Sequence, residues 1–123
     1  MQGGSTVGNI QVVDLLEALR ALGADPAALC ASVGLSERGL HETDARVSSV
    51  RLLALLARAE RQLRDPLVGL HAGARAQPRG PLFYLLLSSP RLSDGLRLFT
   101  RFARVTIDTM AYKVAVDGDV YVL

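Results

Sequence analysis

The stretch that decides the fold is Gly80–Arg104, GPLFYLLLSSPRLSDGLRLFTRFAR. Pro81 suits the first turn of a helix, where its missing N–H would be unpaired anyway. The apolar run Leu82–Leu87 follows. Pro90 cannot continue that helix and pushes Ser89 out of the α region. Ser93 reads as an N-cap, with Asp94 favourable in the first turn. The stretch therefore predicts two helices joined by a tight elbow. The first is apolar nearly all round, which predicts burial. The second places Leu96, Phe99, Phe102 and Ala103 on one side and Arg97, Arg101 and Arg104 on the other. Everything upstream reads as helical packaging for this pair, and everything downstream as strand.

Upstream, residues 1–8 are rich in glycine and serine and read as a mobile lead-in. A helix is predicted from about Asn9 to Leu22, because Val12, Leu15, Leu16, Leu19 and Leu22 recur at helical spacing. Gly23 ends it, and Asp25-Pro26 opens a short helix by cap plus N1 proline. Gly34 terminates that helix and Ser36 begins a further turn. His41–Val47 is polar and reads as a loop. Ser48 caps a longer helix over about Ser49–Arg64, with Leu52, Leu53, Leu55, Leu56, Ala59 and Leu63 as a wide apolar stripe. Asp65-Pro66 repeats the cap-plus-proline device and opens a helix to about Ala74. Gly69 and Gly73 each weaken it by about 1 kcal/mol relative to alanine. Glycines four apart also leave room for a second helix. The loop Gln77-Pro78-Arg79 leads into the central pair.

Downstream the period changes to two. Met110, Tyr112, Val114 and Val116 alternate with Ala111, Lys113 and Ala115, the pattern of a half-buried strand. Asp117-Gly118 is a two-residue hairpin signal, with the return strand starting at Asp119. A lone hairpin is marginal in water. The sheet is therefore expected to be completed either by further sequence of the same protein or by another chain. The predicted fold class is α+β: about six helices, then the start of an antiparallel sheet.

Composition narrows the classes. The 123 residues, half of them hydrophobic, suffice for one domain with a real core. Mean hydropathy is +0.26, which argues against disorder. The net charge of +2 comes from basic residues scattered among acids, unlike the footprint of a dedicated nucleic-acid binder. Cys30 is the single cysteine, so an intrachain disulfide is excluded, in keeping with a cytoplasmic setting. The N-terminus lacks the basic and apolar regions of a signal peptide, and no apolar run approaches the roughly 20 residues that span a bilayer.

Reactive chemistry is sparse. His41 and His71 are the two histidines, and no spacing matches a zinc site, a phosphate-binding loop or a nucleophile elbow. His71 reads as a surface or satisfied residue, and Asp25, Asp65 and Asp94 as caps. No enzyme and no cofactor are predicted. Ala27–Leu40 imitates a helix-turn-helix, but Gly39 breaks its second half, and Glu37, Glu42 and Asp44 would repel phosphates. Two packed turns of a helical subdomain is the preferred reading. Arg97, Arg101 and Arg104 share a helical face, read first as solvated and second as a surface for an anionic effector or a partner. Tyr84, Phe99, Phe102 and Tyr112 fit a small-molecule pocket between helices and sheet, and equally a core sparse in aromatics.

The ordered set LGADPAALCASVGLSE, DARVSSVRLLALLARAERQLRDPLVGLHAG and GPLFYLLLSSPRLSDGLRLFTRFARV, followed by a hairpin, resembles the N-terminal effector domain of AraC-type bacterial transcription regulators, in the subgroup called arabinose-binding-like. The resemblance runs from about Leu15 to Leu123. Its most specific parts are Asp65–Leu70 and Leu86–Pro90 with Leu92 and Leu96. Phe83 departs from the pattern, which has a small residue, often glycine, before the aromatic at Tyr84. The resemblance implies a ligand-sensing and homodimerising region, residues 9–123, truncated before a C-terminal module of two helix-turn-helix units through which DNA would be bound. It implies a small-molecule effector, with Tyr84, Arg97, Phe99, Phe102 and Tyr112 as candidate ligand-binding residues, and no membrane partner. The competing expectation is a stand-alone helical interaction domain that completes a sheet with a partner chain.

Overall fold

The computed structural model describes residues 4–42, 45–77, 79–108 and 110–123. Asp44 of the helix-turn-helix reading and Pro78 of the linker lie outside them. The described residues form six α-helices and two small antiparallel two-stranded sheets, an α+β arrangement as expected.

The order is β1 (Thr6–Gly8), α1 (Asn9–Ala21), α2 (Pro26–Ser32), a 3-10 turn (Gly39–His41), β2 (Arg46–Ser48), α3 (Ser49–Leu63), α4 (Val68–Arg75), α5 (Pro81–Leu87), α6 (Leu92–Phe102), a second 3-10 turn (Ala103–Val105), β3 (Ala115–Asp117) and β4 (Val120–Val122).

Local chemistry sets several boundaries where the sequence places them. Gly23 and Gly34 take φ of +99° and +72° just past α1 and α2. The Asp25 carboxylate accepts from the Ala27 and Ala28 N–H groups at 3.1 and 3.2 Å, and Pro26 opens α2. Ser36 Oγ accepts from Gly39 N–H at 3.2 Å, closing the turn that ends in the 3-10 segment. That segment is a single turn and presents no recognition helix, which supports the packed-turn reading of Ala27–Leu40.

Other boundaries move. The Asp65 side chain accepts from Leu67 N–H at 3.0 Å, a turn rather than a cap, and α4 begins only at Val68. Arg91 stands where Ser93 was expected to cap; α6 starts at Leu92 with no side-chain cap bond. Ser88 and Ser89 instead donate their hydroxyls back to Leu85 O at 3.1 and 2.9 Å, finishing α5. The β3–β4 register pairs Asp117 with Val120, so the loop is Gly118-Asp119, one residue later than predicted. Gly118 at φ +58°, with Asp119 at negative φ, matches the turn that wants glycine at its first central position. Of the strand expected over Met110–Val116, only Ala115 and Val116 lie in β3.

The hydrophobic core is built around α1. Val12, Leu16 and Leu19 meet Leu29 and Cys30 of α2, Leu55 and Ala59 of α3, and Val68 and Ala72 of α4. Leu19, Leu55, Val12 and Cys30 are the largest fully buried side chains. The expectation that the upstream helices package α5 and α6 is therefore corrected: they package α1. No residue of α5 is buried, and α6 buries only Gly95. The physical reason is that α5 packs chiefly against α6, which covers too little of it to bury any residue fully. No helix approaches Gly69 or Gly73 closely, since a Cβ at each would meet nothing within 4 Å.

The reading of residues 6–8 is also corrected. Thr6–Gly8 is a strand rather than a mobile lead-in, pairing with Arg46–Ser48, part of the segment read as loop and helix cap. Val7 also bridges Ile107, and Gly8 N–H donates to Thr106 O at 2.8 Å, so β1 is held on both edges. Arg46 seals this junction, donating to Thr6 Oγ1 at 2.7 Å and Val105 O at 2.9 Å. A second long-range tie joins α1 to the linker before α5: Arg79 donates Nε and Nη2 to Asp14 Oδ1 at 2.9 and 2.7 Å.

Candidate functional site

The candidate site lies where α5, α6 and the turn after α6 meet. Gly80 enters α5 at φ +102° and ψ 174°, a conformation open essentially to glycine alone. Pro81 follows in the first turn. The Ser-Ser-Pro elbow then folds α6 back along α5, with Gly95 against Leu86 and Ser89. Between the helices opens a groove of about 310 Å³ lined by Pro81, Leu82, Leu85, Phe102, Val105 and Thr106. Thr106 brings the one side-chain hydroxyl of that lining, and its proton is donated to Ala103 O at 2.8 Å, leaving it an acceptor only. Such a wall binds by removing apolar surface from water, at roughly 25 cal/mol per Å².

Phe99 lies three residues before Phe102 on α6, and its ring meets that of Tyr112 edge-on, centroids 4.9 Å apart. Aromatic pairs of this geometry contribute about 0.5–1.5 kcal/mol beyond their buried area. The pair joins α6 to the segment before β3. The Tyr112 hydroxyl points to Met110 Sδ at 3.6 Å. The Arg101 guanidinium stands 5.3 Å from the Phe102 ring centre, on the solvent side of the helix.

Of the five candidate residues, the structure brings Phe99 and Tyr112 together and sets Phe102 in the groove. Tyr84 is 62 % exposed and packs on Phe83, 5.9 Å between centroids. Arg97 is exposed, as are Arg101 and Arg104, and among the described residues none of the three is in an ion pair. Sequence reasoning missed Leu82, Leu85 and Val105. The first two belong to an apolar run whose lining face is invisible until its partner helix is placed.

Other reactive groups are accounted for locally. His71 Nδ1 lies 2.6 Å from Asp65 Oδ2, and this hydrogen bond holds the Asp65 carboxyl below the usual carboxylate range. Cys30 is buried, and burial, with Glu37 adding to it, pushes its thiol pKa up, away from the reactive thiolate. Among the described residues no three His, Cys, Asp or Glu side chains gather as for a metal, and no helix is long and apolar enough to cross a membrane.

Residues 23–123 match the sequence family described as the arabinose-binding domain of AraC transcription regulators, N-terminal. A comparison with curated proteins returned no match.

Proposed function

The chain belongs to the family of N-terminal arabinose-binding domains of AraC transcription regulators, a ligand-sensing regulatory domain, and on that footing we propose that it senses a small-molecule effector for a cytoplasmic bacterial regulator. The observation that carries this reading is the match over residues 23–123. In the proposal the regulator acts as a homodimer, and DNA is bound by a separate C-terminal helix-turn-helix module. Chemistry within the chain is limited to binding.

The effector site is proposed at the α5–α6 groove, with Phe102 in its wall, Phe99 and Tyr112 beside it, and Tyr84 and Arg97 on the exposed rim. The lining supports an apolar or aromatic effector over a pentose. A sugar brings hydroxyls that need partners, and the groove's single hydroxyl is left only to accept. Titration of the chain with indole and, separately, with L-arabinose, followed by NMR of the Phe and Tyr side chains, tests this. Indole is expected to move the Phe99, Phe102 and Tyr112 resonances, and Phe102→Ala to weaken the response. Shifts with arabinose alone, or with neither probe, would remove the groove from consideration.

One observation favours a second reading, sheet completion by a partner chain: β3 and β4 form a two-stranded pair whose residues are all exposed, including Val116, Val120, Tyr121 and Val122. Such edges recruit strands. Light scattering after size exclusion distinguishes the cases, since a stably folded monodisperse monomer rules out completion by a second copy.

A further inference from the structure

A second concavity opens against α1. It measures about 440 Å³, within the range of small-molecule sites, and shares no lining residue with the α5–α6 groove. Asp14 and Glu17, one helical turn apart on α1, contribute acids; Arg75 at the end of α4 and Arg79 in the linker contribute cations; His41 and Gln77 complete the polar lining. Ala18 and Ala21, small side chains of α1, also line it.

The charges divide into a closed pair and two exposed groups. Asp14 has a side chain only 11 % exposed and is fully engaged: Arg79 donates Nε and Nη2 to its Oδ1, and the Arg79 N–H reaches Oδ2 at 3.3 Å. This pair forms a neutral wall. Glu17 stays 57 % exposed, 3.9 Å from Arg20, whose shorter pair is with Glu37 at 2.6 Å, and its charge is also felt by Arg79. Arg75 is in no ion pair among the described residues. One loosely paired, exposed acid and one cation without an ion pair among the described residues thus stand on the wall of a single cavity.

We propose that this basin binds a small zwitterion, its ammonium on Glu17 and its carboxylate on Arg75. Charge balance selects the class. A simple anion gains Arg75 but meets Glu17, and a simple cation gains Glu17 but meets Arg75. A neutral polyol gains neither charge-assisted bond. Only a ligand of both signs satisfies both groups.

The test uses the 123-residue chain and calorimetric titration with the ω-amino acids glycine, 4-aminobutyrate and 6-aminohexanoate, beside butyrate and butylammonium at matched ionic strength. At least one ω-amino acid is expected to bind about tenfold or more tightly than either single-charge probe. Glu17→Gln is expected to weaken that ω-amino acid about tenfold while strengthening butyrate, and Arg75→Gln to weaken it while strengthening butylammonium. Both side chains are exposed, and circular dichroism verifies that the variants fold. The crossover reports charge recognition, which a merely structural role would not reproduce. Phe102→Ala leaves these titrations unchanged, so this site and the groove stand or fall separately. Absence of heat with all three ω-amino acids up to about 10 mM, equal binding of all five probes, or variants without the crossover would overturn the proposal.

Discussion

Asp108 accepts twice from Thr6, from its backbone N–H at 2.5 Å and from its hydroxyl at 2.9 Å, across 102 positions of sequence. With the Val7–Ile107 bridge, this contact ties the first strand to the segment that follows α6. It makes Thr6–Gly8 part of the fold.

The first prediction concerns acid stability. Hydrogen bonds from Thr6, backbone first and hydroxyl second, hold the Asp108 carboxyl below its ordinary range, with Arg46 adding to them. A carboxyl depressed in the folded state stabilises it fully above the unfolded pKa, about 3.9. That contribution is lost as pH falls through the folded value. The Asp65 carboxyl, bonded to His71, works in the same direction. Urea midpoints measured from pH 6 downward are expected to fall below about pH 4, and Asp108→Asn to lower the midpoint at pH 6 while flattening the acid slope. An unchanged slope in this variant would contradict the assignment.

Core and surface leucines are expected to part sharply. Leu55 is 0 % exposed and Leu53, two residues away on α3, is 66 % exposed. Leu55→Ala is expected to cost about 2–5 kcal/mol through lost burial and the cavity left behind. Leu53→Ala is expected to stay within about 0.5 kcal/mol of the parent. Equilibrium denaturation measures both, and similar costs would mean that α3 is packed on its outer side as well.

Glycines are expected to divide by backbone conformation. Gly80→Ala forces a side chain into φ +102° and should cost about 1–3 kcal/mol, with α5 displaced. Gly69→Ala and Gly73→Ala lie inside α4 with nothing within 4 Å of the new methyl. Each is expected to stabilise by about 0.5–1 kcal/mol. A loss at either would reveal a contact on that face of α4.

The isolated chain is expected not to bind duplex DNA specifically. The helix-turn-helix look-alike ends in a single 3-10 turn, and Glu37 within it is held by Arg20 at 2.6 Å. Arg97, Arg101 and Arg104 would supply only weak, sequence-blind attraction. Fluorescence anisotropy at about 150 mM salt, comparing a natural promoter fragment with a scrambled one, should show no preference. A preference that disappears with changes at Glu37 and Arg38 would restore the DNA-reading interpretation.

Features legible in the sequence are those one or two turns of chain settle alone. Asp25-Pro26 caps α2 because its acceptor and its fixed φ act within three residues. Gly23 and Gly34 stop helices because the left-handed conformation costs glycine nothing. The apolar stripe of α1 finds its core because spacing defines a face whatever covers it. The pairing of Phe99 with Tyr112 is different: an alternating pattern and a helical face indicate two aromatics without indicating that they meet.

Tertiary structure decided the rest, because burial belongs to a pair of surfaces. Leu82–Leu87 is as apolar as any segment of the chain, yet α5 buries none of its residues, since chiefly α6 comes against it. Thr6–Gly8 reads as a solvated lead, yet Val7 is 3 % exposed because strand pairing on both edges and the Arg46 and Asp108 contacts arrive from distant sequence. Asp14 and Arg79, 65 positions apart, carry no mark in the sequence that they would close on each other in a basin that Glu17 and Arg75 also line. Local chemistry determined where helices start and stop; only long-range contacts, whose partners no short window contains, determined what each helix faces and where a ligand can enter.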